Sequence, residues 1–345
     1  MKIAIHHSEG SFSERWIKYC ESNNIEYKLV NAYQSDIIEQ VKDCDGFMWH
    51  HFHNNYRDAL FAKQLLYSLE KKGISVFPNY NTTWHFDDKV GQKYLFESLD
   101  IPSIPSFVFY NKQEALNWIN NTTFPKVFKL RGGAGASNVK LVRNKRQARK
   151  LVKKAFSGGF PQYDRWSTLC DRVKKWLNGS TSLKHVCAAV VRLFISSEYA
   201  RMHGSEKGYA YFQEFIPNNT FDIRVCIVDN KAFAIKRMTR KNDFRASGSG
   251  NILYSKSEID ERCITESFNI AKKLNTQSLA LDFVFNGNTP LLVEISYGFA
   301  YDAYDKCEGY WTEDMKWHKG ECFDFCGWMV ENVINNTKSN NKTIQ

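Results

Sequence analysis

The apolar positions of the first eighty residues switch between two rhythms. Short apolar runs appear in "KIAIHH", "IEYKLVNA", "DGFMWHHFH" and "ISVFPN". Each is too short for a helix and bounded by polar residues, so each reads as a strand. Between them, "SFSERWIKYCESNN" places Phe12, Trp16 and Tyr19 on one side of a helix, "DIIEQVKDC" gives a second helix, and "DALFAKQLLYSLEKKG" gives a longer one closed by Gly73. Strand and helix in strict alternation predict a parallel sheet.

Beyond Pro78 the grammar changes. A helix is expected from near Asp87 to the Ile101-Pro102 break, then an extended run through "SFVFY". "EALNWINNTTFPKVFKLRGGAGASNVKLV" reads as helix, strand, glycine loop, strand. After a basic region come "AYFQEFIP", the strand pair "DIRVCIVDNKAFAIKRMTR" and the polar loop "KNDFRASGSGN". A helix "DERCITESFNIAKKL", the strands "SLALDFVFNG" and "TPLLVEISYGF", and a last helix "FDFCGWMVENVIN" follow. The tail "NTKSNNKTIQ" is polar throughout and predicts disorder.

Composition narrows the class. A chain of 345 residues, 43% of them hydrophobic, can bury a sizeable core in two or three lobes. No apolar run approaches the ~18 residues a bilayer span needs. "MKIAIHHSEGSF" turns polar too early for a signal peptide, so a cytoplasmic location is expected. Nine scattered cysteines fit reduced thiols rather than a disulfide framework. The net charge of +10 is uneven: Lys140 to Lys184 holds 13 Lys or Arg against Asp164 and Asp171. That bias attracts anions, or else is a solvated helix face. Without an aromatic stacking pattern or a nucleic-acid motif, it does not point to nucleic acid.

The stretch "FKLRGGAGASNV" carries the first chemistry. Its spacing fits neither a Walker loop nor a dinucleotide fingerprint. Lys129 precedes the glycines on a strand and a second strand follows, which is the layout of a hairpin flap whose backbone N–H groups can meet an anion. A plain glycine-rich turn is the alternative. Downstream, Arg224, Lys236, Arg237 and Arg240 recur on consecutive strands and Arg245 lies in the polar loop, cations suited to phosphates. Asp282 in "ALDFVF" and Glu294 in "LVEIS" are acids inside apolar runs, costly unless paired or metal-bound. Hard oxygen ligands beside phosphates suit Mg²⁺.

In this order, the strand lysine, glycine flap, "QEFI", "DIRV", "KR", "DFRASGSG", "LDF" and "VEIS" resemble the ATP-grasp superfamily, in particular the glutathione synthetase-like and ribosomal-protein-modifying ligases. The resemblance covers Asn79 to Asn335 and implies a mixed α/β (α+β) fold. An N-terminal parallel α/β domain would occupy residues 1–80. A first ATP-grasp lobe at 81–212 would carry the flap and the basic insertion, a second at 213–335 the metal-binding strands, and 336–345 would be a disordered tail.

It further implies ATP and Mg²⁺ as cofactors. Adenine would lie against Gln213, Glu214, Phe215 and Ile216, and the flap residues Gly133, Ala134, Gly135 and Ser137, with Lys89 and Lys129, would meet the phosphates. Asp222 or Arg224 would sit near ribose and phosphate, Arg237 and Arg245 near the γ-phosphate and acceptor, and Asp282, Glu294 and Ser296 on Mg²⁺. Ser296 departs from the usual Glu-x-Asn, which leaves the number of ions open.

The implied reaction joins a carboxylate to an amine through an acylphosphate. The acceptor is expected to be an anionic small molecule, with a sugar acid of a cell-surface polysaccharide suggested by the resemblance. No nucleic acid or membrane span is expected, and the oligomeric state is open between monomer and homodimer. A kinase of an acidic small molecule and a non-catalytic nucleotide-binding module are the alternatives. Three further features compete with simple packing: His50, His51 and His53 as a metal or acceptor site, His318 with Cys322 and Cys326 as a zinc site, and the "CEGYWTEDMKWH" aromatics as a lid.

Overall fold

The computed structural model describes residues 1–132, 138–161, 169–170, 172–173, 176–177, 181–194, 201–202, 204–240, 243–246, 248–320 and 323–343, and every element and count refers to these. The chain opens with β1 (Lys2–His6), α1 (Ser13–Ser22), β2 (Glu26–Val30), α2 (Ile37–Gln40), β3 (Gly46–Trp49), α3 (Tyr56–Lys71) and β4 (Ser75–Phe77). The four strands pair in the order β2-β1-β3-β4, all parallel. That is the sheet the alternating pattern predicts.

Next come α4 (Tyr80–Thr83), α5 (Lys89–Ser98), β5 (Ser106–Phe109), α6 (Lys112–Asn121), β6 (Lys126–Lys129), β7 (Lys140–Val142), α7 (Lys145–Ala155), β8 (Phe160–Pro161), α8 (Leu183–Phe194), β9 (Ser205–Glu206) and β10 (Ala210–Glu214). Helix starts follow local chemistry: Asn55, Asp88, Asn111 and Asn144 each cap a helix by accepting from its first-turn N–H groups. A second, antiparallel sheet runs β5-β10-β6-β7.

The largest sheet is built from β11 (Phe221–Val228), β12 (Lys231–Met238), β13 (Ile252–Leu253), β14 (Ser278–Asn286), β15 (Thr289–Ser296), β16 (Gly309–Thr312) and β17 (Trp317–Lys319), with α9 (Glu261–Leu274) on one face and α10 (Phe325–Thr343) on the other. No described helix is long and apolar enough to cross a membrane.

Packing redraws the expected boundaries. Phe96 and Ile101 lie in the core of the largest sheet, so α5 packs on the second lobe although the chain order assigned it to the first. β10 carries the first-lobe sheet through Glu214, past the expected division at residue 213. The N-terminal sheet is not a separate unit either: Phe12, Trp16 and Phe77 share one core with Phe233, Phe325 and Val330. Gln277 stitches that junction, donating to Val76 O and Asn332 Oδ1 and accepting from Asn79 N. The tail expected to be disordered instead continues α10 to Thr343. Buried Thr337, bonded back to Val333 O, keeps the helix docked beyond residue 336.

Candidate active site

A cavity of about 260 Å³ lies between the antiparallel first-lobe sheet and the largest sheet, closed at one side by the connector after β10. Lys129 enters it from the last position of β6 and Lys89 from the first turn of α5. The two are tied together, because Lys89 N donates to Arg131 O (3.0 Å) just past the end of β6.

One end is apolar, formed by Ile104, Val127, Phe215, Phe244, Val284 and Val293. Phe215 and Phe244 meet edge to face at 5.7 Å. The sequence reading did not single out these valines. Strand alternation carried the signal, since Val127 is two residues from Lys129 and Val284 two from Asp282, hence on the same faces.

The other end is charged. Asp222 on β11 faces Arg237 on β12 and accepts from its Nε and Nη2, both at 2.7 Å, in a pair almost wholly buried. Asp282 on β14 accepts from Arg224 Nε (2.5 Å, Oδ1) and Nη2 (2.7 Å, Oδ2), and Arg237 Nη2 approaches the same Oδ2 at 3.1 Å. Although Asp282 is fully buried, these two guanidiniums hold its carboxyl well below the usual carboxylate range. Glu294 stands directly across from Asp282 on β15. Like charges in that position repel, and Glu294 finds Lys89 Nζ at 3.8 Å. A β-bulge at Val293 shifts the register between Asp282 and Phe283 and aims Glu294 into the cavity.

Lys129 is buried, which lowers its pKa to about 8. Glu294 counters that shift and Lys89 adds to it. The cavity thus joins an apolar slot to cations and to the partly exposed carboxylates of Glu214 and Glu294, an arrangement able to hold a flat apolar group bearing a polyanion.

The expected residues divide. Lys89, Lys129, Gln213, Glu214, Phe215, Ile216, Asp222, Arg237, Arg245, Asp282 and Glu294 come together around this cavity. Gly133, Ala134, Gly135 and Ser137 fall outside the described residues. Arg224 is not among the lining residues; it stands behind Asp282. Ser296 is also absent from the lining, and its hydroxyl donates to Gly298 O (2.6 Å). Glu214 accepts from Lys126 Nζ at 2.7 and 2.8 Å, and its N–H donates to Pro105 O. Gln213 donates to Ser106 Oγ (3.1 Å). Arg245 is paired with Asp243 (2.7 Å). Lys236 leaves the cleft altogether, pairing with Glu258 (2.7 Å) over the ring of Phe221.

His51 and His53 line a second cavity of about 130 Å³ with Lys63, Asp87, Asp88 and Arg131, while His50 and the remaining described candidates pack. His50 stacks on Phe12 at 3.9 Å and accepts from Phe12 N, and burial lowers its pKa to about 3. His51 bonds Thr83 Oγ1 (2.5 Å). No group of three or more His, Cys, Asp or Glu among the described residues can hold a metal ion. Cys322 lies outside the described residues, Cys326 is buried in the core, and His318 stacks on Tyr310. Trp311 and Trp317 pack into the core beneath α9 rather than over the cleft. α7 buries Ala148, Val152 and Ala155 and turns its cations outward; Lys174 and Lys175 fall outside the described residues.

No protein-family model and no curated protein sequence matches the chain. Solved structures do. D-alanine–D-alanine ligase from Bacillus anthracis superposes with a TM-score of 0.59 at 14% identity, over 100% of this chain and 99% of that one. A RimK domain ATP-grasp protein from Sphaerobacter thermophilus gives 0.58 at 16% identity, over 96% and 98%. The chain has the ATP-grasp fold. The ATP-grasp ligase PsnB, complexed with precursor peptide PsnA2 and AMPPNP, gives 0.53 at 11% identity over 98% of both chains.

Proposed function

We propose that the cavity binds ATP with a divalent cation and uses it to activate a carboxylate for attack by an amine, making the protein an ATP-dependent carboxylate-amine ligase. One observation carries the reading: in an ATP-grasp fold, Lys89, Lys129, Arg237, Arg245 and Glu294 line the same cavity as the apolar Ile104, Val127, Phe215, Val284 and Val293. The ligases it resembles include structures complexed with ATP and with AMPPNP, and a biotin carboxylase domain complexed with MgADP, which favours the same occupant here.

In this reading the slot between Val127, Val284 and Val293 takes the adenine, with Phe215 and Ile216 at its edge. Lys89 and Lys129 hold phosphate oxygens, and Arg237 and Arg245 face the transferring phosphoryl group. The substrate carboxylate attacks the γ-phosphorus, the bond to ADP breaks, and the amine then displaces phosphate from the acylphosphate. Positioning and fixed charge suffice for such transfers, so no nucleophilic side chain is required. Glu294 would hold a divalent cation, which would supply positive charge to offset that of the phosphates.

The outward-facing cations of α7 give a kinase of a phosphorylated molecule no support, and nothing in the cavity singles out a sugar acid, so the acceptor is left as a carboxylate and an amine. The test is a screen of carboxylates with MgATP and hydroxylamine for ADP release and hydroxamate. Hydroxamate formation is expected; a stable phosphorylated product without it would favour a kinase.

A further inference from the structure

The acids expected on Mg²⁺ stand in different surroundings. Both oxygens of Asp282 are taken by Arg224, at 2.5 and 2.7 Å, and Arg237 lies 3.1 Å from Oδ2. Asp222 completes a set of two carboxylates and two guanidiniums whose charges cancel, buried except for Arg224, whose side chain is 21% exposed. A divalent ion placed on Asp282 would stand beside two fixed positive charges, and displacing Arg224 to admit it would take a partly buried guanidinium from its partner. The hydroxyl of Ser296, in place of the usual amide, is turned to Gly298 O. Glu294 differs: its side chain is about one-third exposed (34%), it lines the cavity, and among the described residues Lys89 Nζ, at 3.8 Å, is the cation in salt-bridge range of it.

We propose that the cleft takes one divalent cation, held by Glu294 and nucleotide phosphates, and that the Arg224–Asp282 pair stands where a second ion would otherwise be held. This rests on the nucleotide reading. Mg²⁺ keeps several waters and is commonly held by one or two carboxylates plus substrate phosphates, a demand that Glu294 and a triphosphate can meet. No described cluster can hold an ion by itself, which fits an ion that arrives with the nucleotide. Arg224 is then a positioning residue: by bonding both oxygens of Asp282 it occupies the ligands that a second ion would need.

The test is equilibrium dialysis of Mn²⁺ against the full chain with and without AMPPNP, alongside calorimetry of AMPPNP binding. One Mn²⁺ per chain is expected with AMPPNP and none at micromolar ion without it. Glu294→Gln should weaken Mn²⁺ binding by about 10–100-fold or more, while Asp282→Asn should leave the count at one and the affinity within about threefold, far from the loss seen when a ligand is removed. Arg224→Met, with folding checked by circular dichroism, should unmask Asp282 and raise the count toward two. Should that variant fail to fold, the wild-type count and the Asp282→Asn result decide alone. Two Mn²⁺ in the wild type, or loss of the ion in Asp282→Asn, overturns the proposal while AMPPNP binding stands. Absence of AMPPNP binding overturns the nucleotide reading and this proposal with it.

Discussion

Asp222 and Arg237 face each other across the β11–β12 hairpin and share two hydrogen bonds of 2.7 Å, with side chains only 12% and 8% exposed. Removing one partner of a buried pair leaves the other charge uncompensated, at a cost of about 3–5 kcal/mol, whereas replacing both can be nearly neutral. Asp222→Ala should therefore lower stability by about that amount, and Asp222→Leu with Arg237→Met should recover most of it. Urea unfolding of the three proteins measures this; a single mutant within about 1 kcal/mol of wild type would show that the pair does not hold the cleft floor.

Lys129 sets a pH dependence for the nucleotide site. Its pKa is lowered to about 8 by burial, and a bound polyanion favours the charged form, so binding above pH 8 must take up a proton. ATP-analogue affinity should be flat below pH 8 and fall by up to about tenfold per pH unit above it. Lys129→Met should lower affinity and flatten that limb. Calorimetry in buffers of different ionisation enthalpy should report proton uptake in the wild type alone; equal uptake in the mutant would assign the proton elsewhere.

Acid should destabilise the fold through histidines it buries uncharged. His50 and His85 are pushed down to about 3 by burial, against an ordinary value of 6.5. The sign follows from linkage: above pH 6.5 neither state binds the proton, and as pH falls from 6.5 toward 3 only the unfolded chain does, so stability is lost by about 1.4 kcal/mol per pH unit for each group. His85→Phe should reduce the slope of unfolding free energy between pH 6 and 5 by one such share. An unchanged slope would mean His85 titrates in the fold.

Much of this was legible because strand chemistry is periodic. The register that opposes Asp222 to Arg237 follows from a two-residue turn at Asp229-Asn230, visible in "VDNK", and the same periodicity places Val127 beside Lys129. What escaped depends on long-range geometry. The bulge at Val293 that aims Glu294 into the cleft has no marker in "LLVEIS", and the pairing of Arg224 with Asp282 joins residues 58 apart in sequence. Charge counting left α7 open between an anion site and a solvated face; its Lys and Arg positions surround a buried stripe of Ala148, Val152 and Ala155 and are themselves exposed. The polar tail misled, because the core contacts of Val333 and Thr337 extend a helix that composition alone would end.

The central claim is that one cavity binds the triphosphate of ATP on buried lysine and the adenine in an apolar slot. Calorimetric titration of AMPPNP with Mg²⁺ into wild type, Lys129→Met and Val284→Trp tests it most directly. Saturable binding at one site in the wild type is expected, weakened at least about tenfold in Lys129→Met, where a charge-assisted contact worth roughly 1.5–3 kcal/mol is lost, and abolished by the indole filling the slot in Val284→Trp. No binding to the wild type, or equal affinity in all three proteins, would contradict the account.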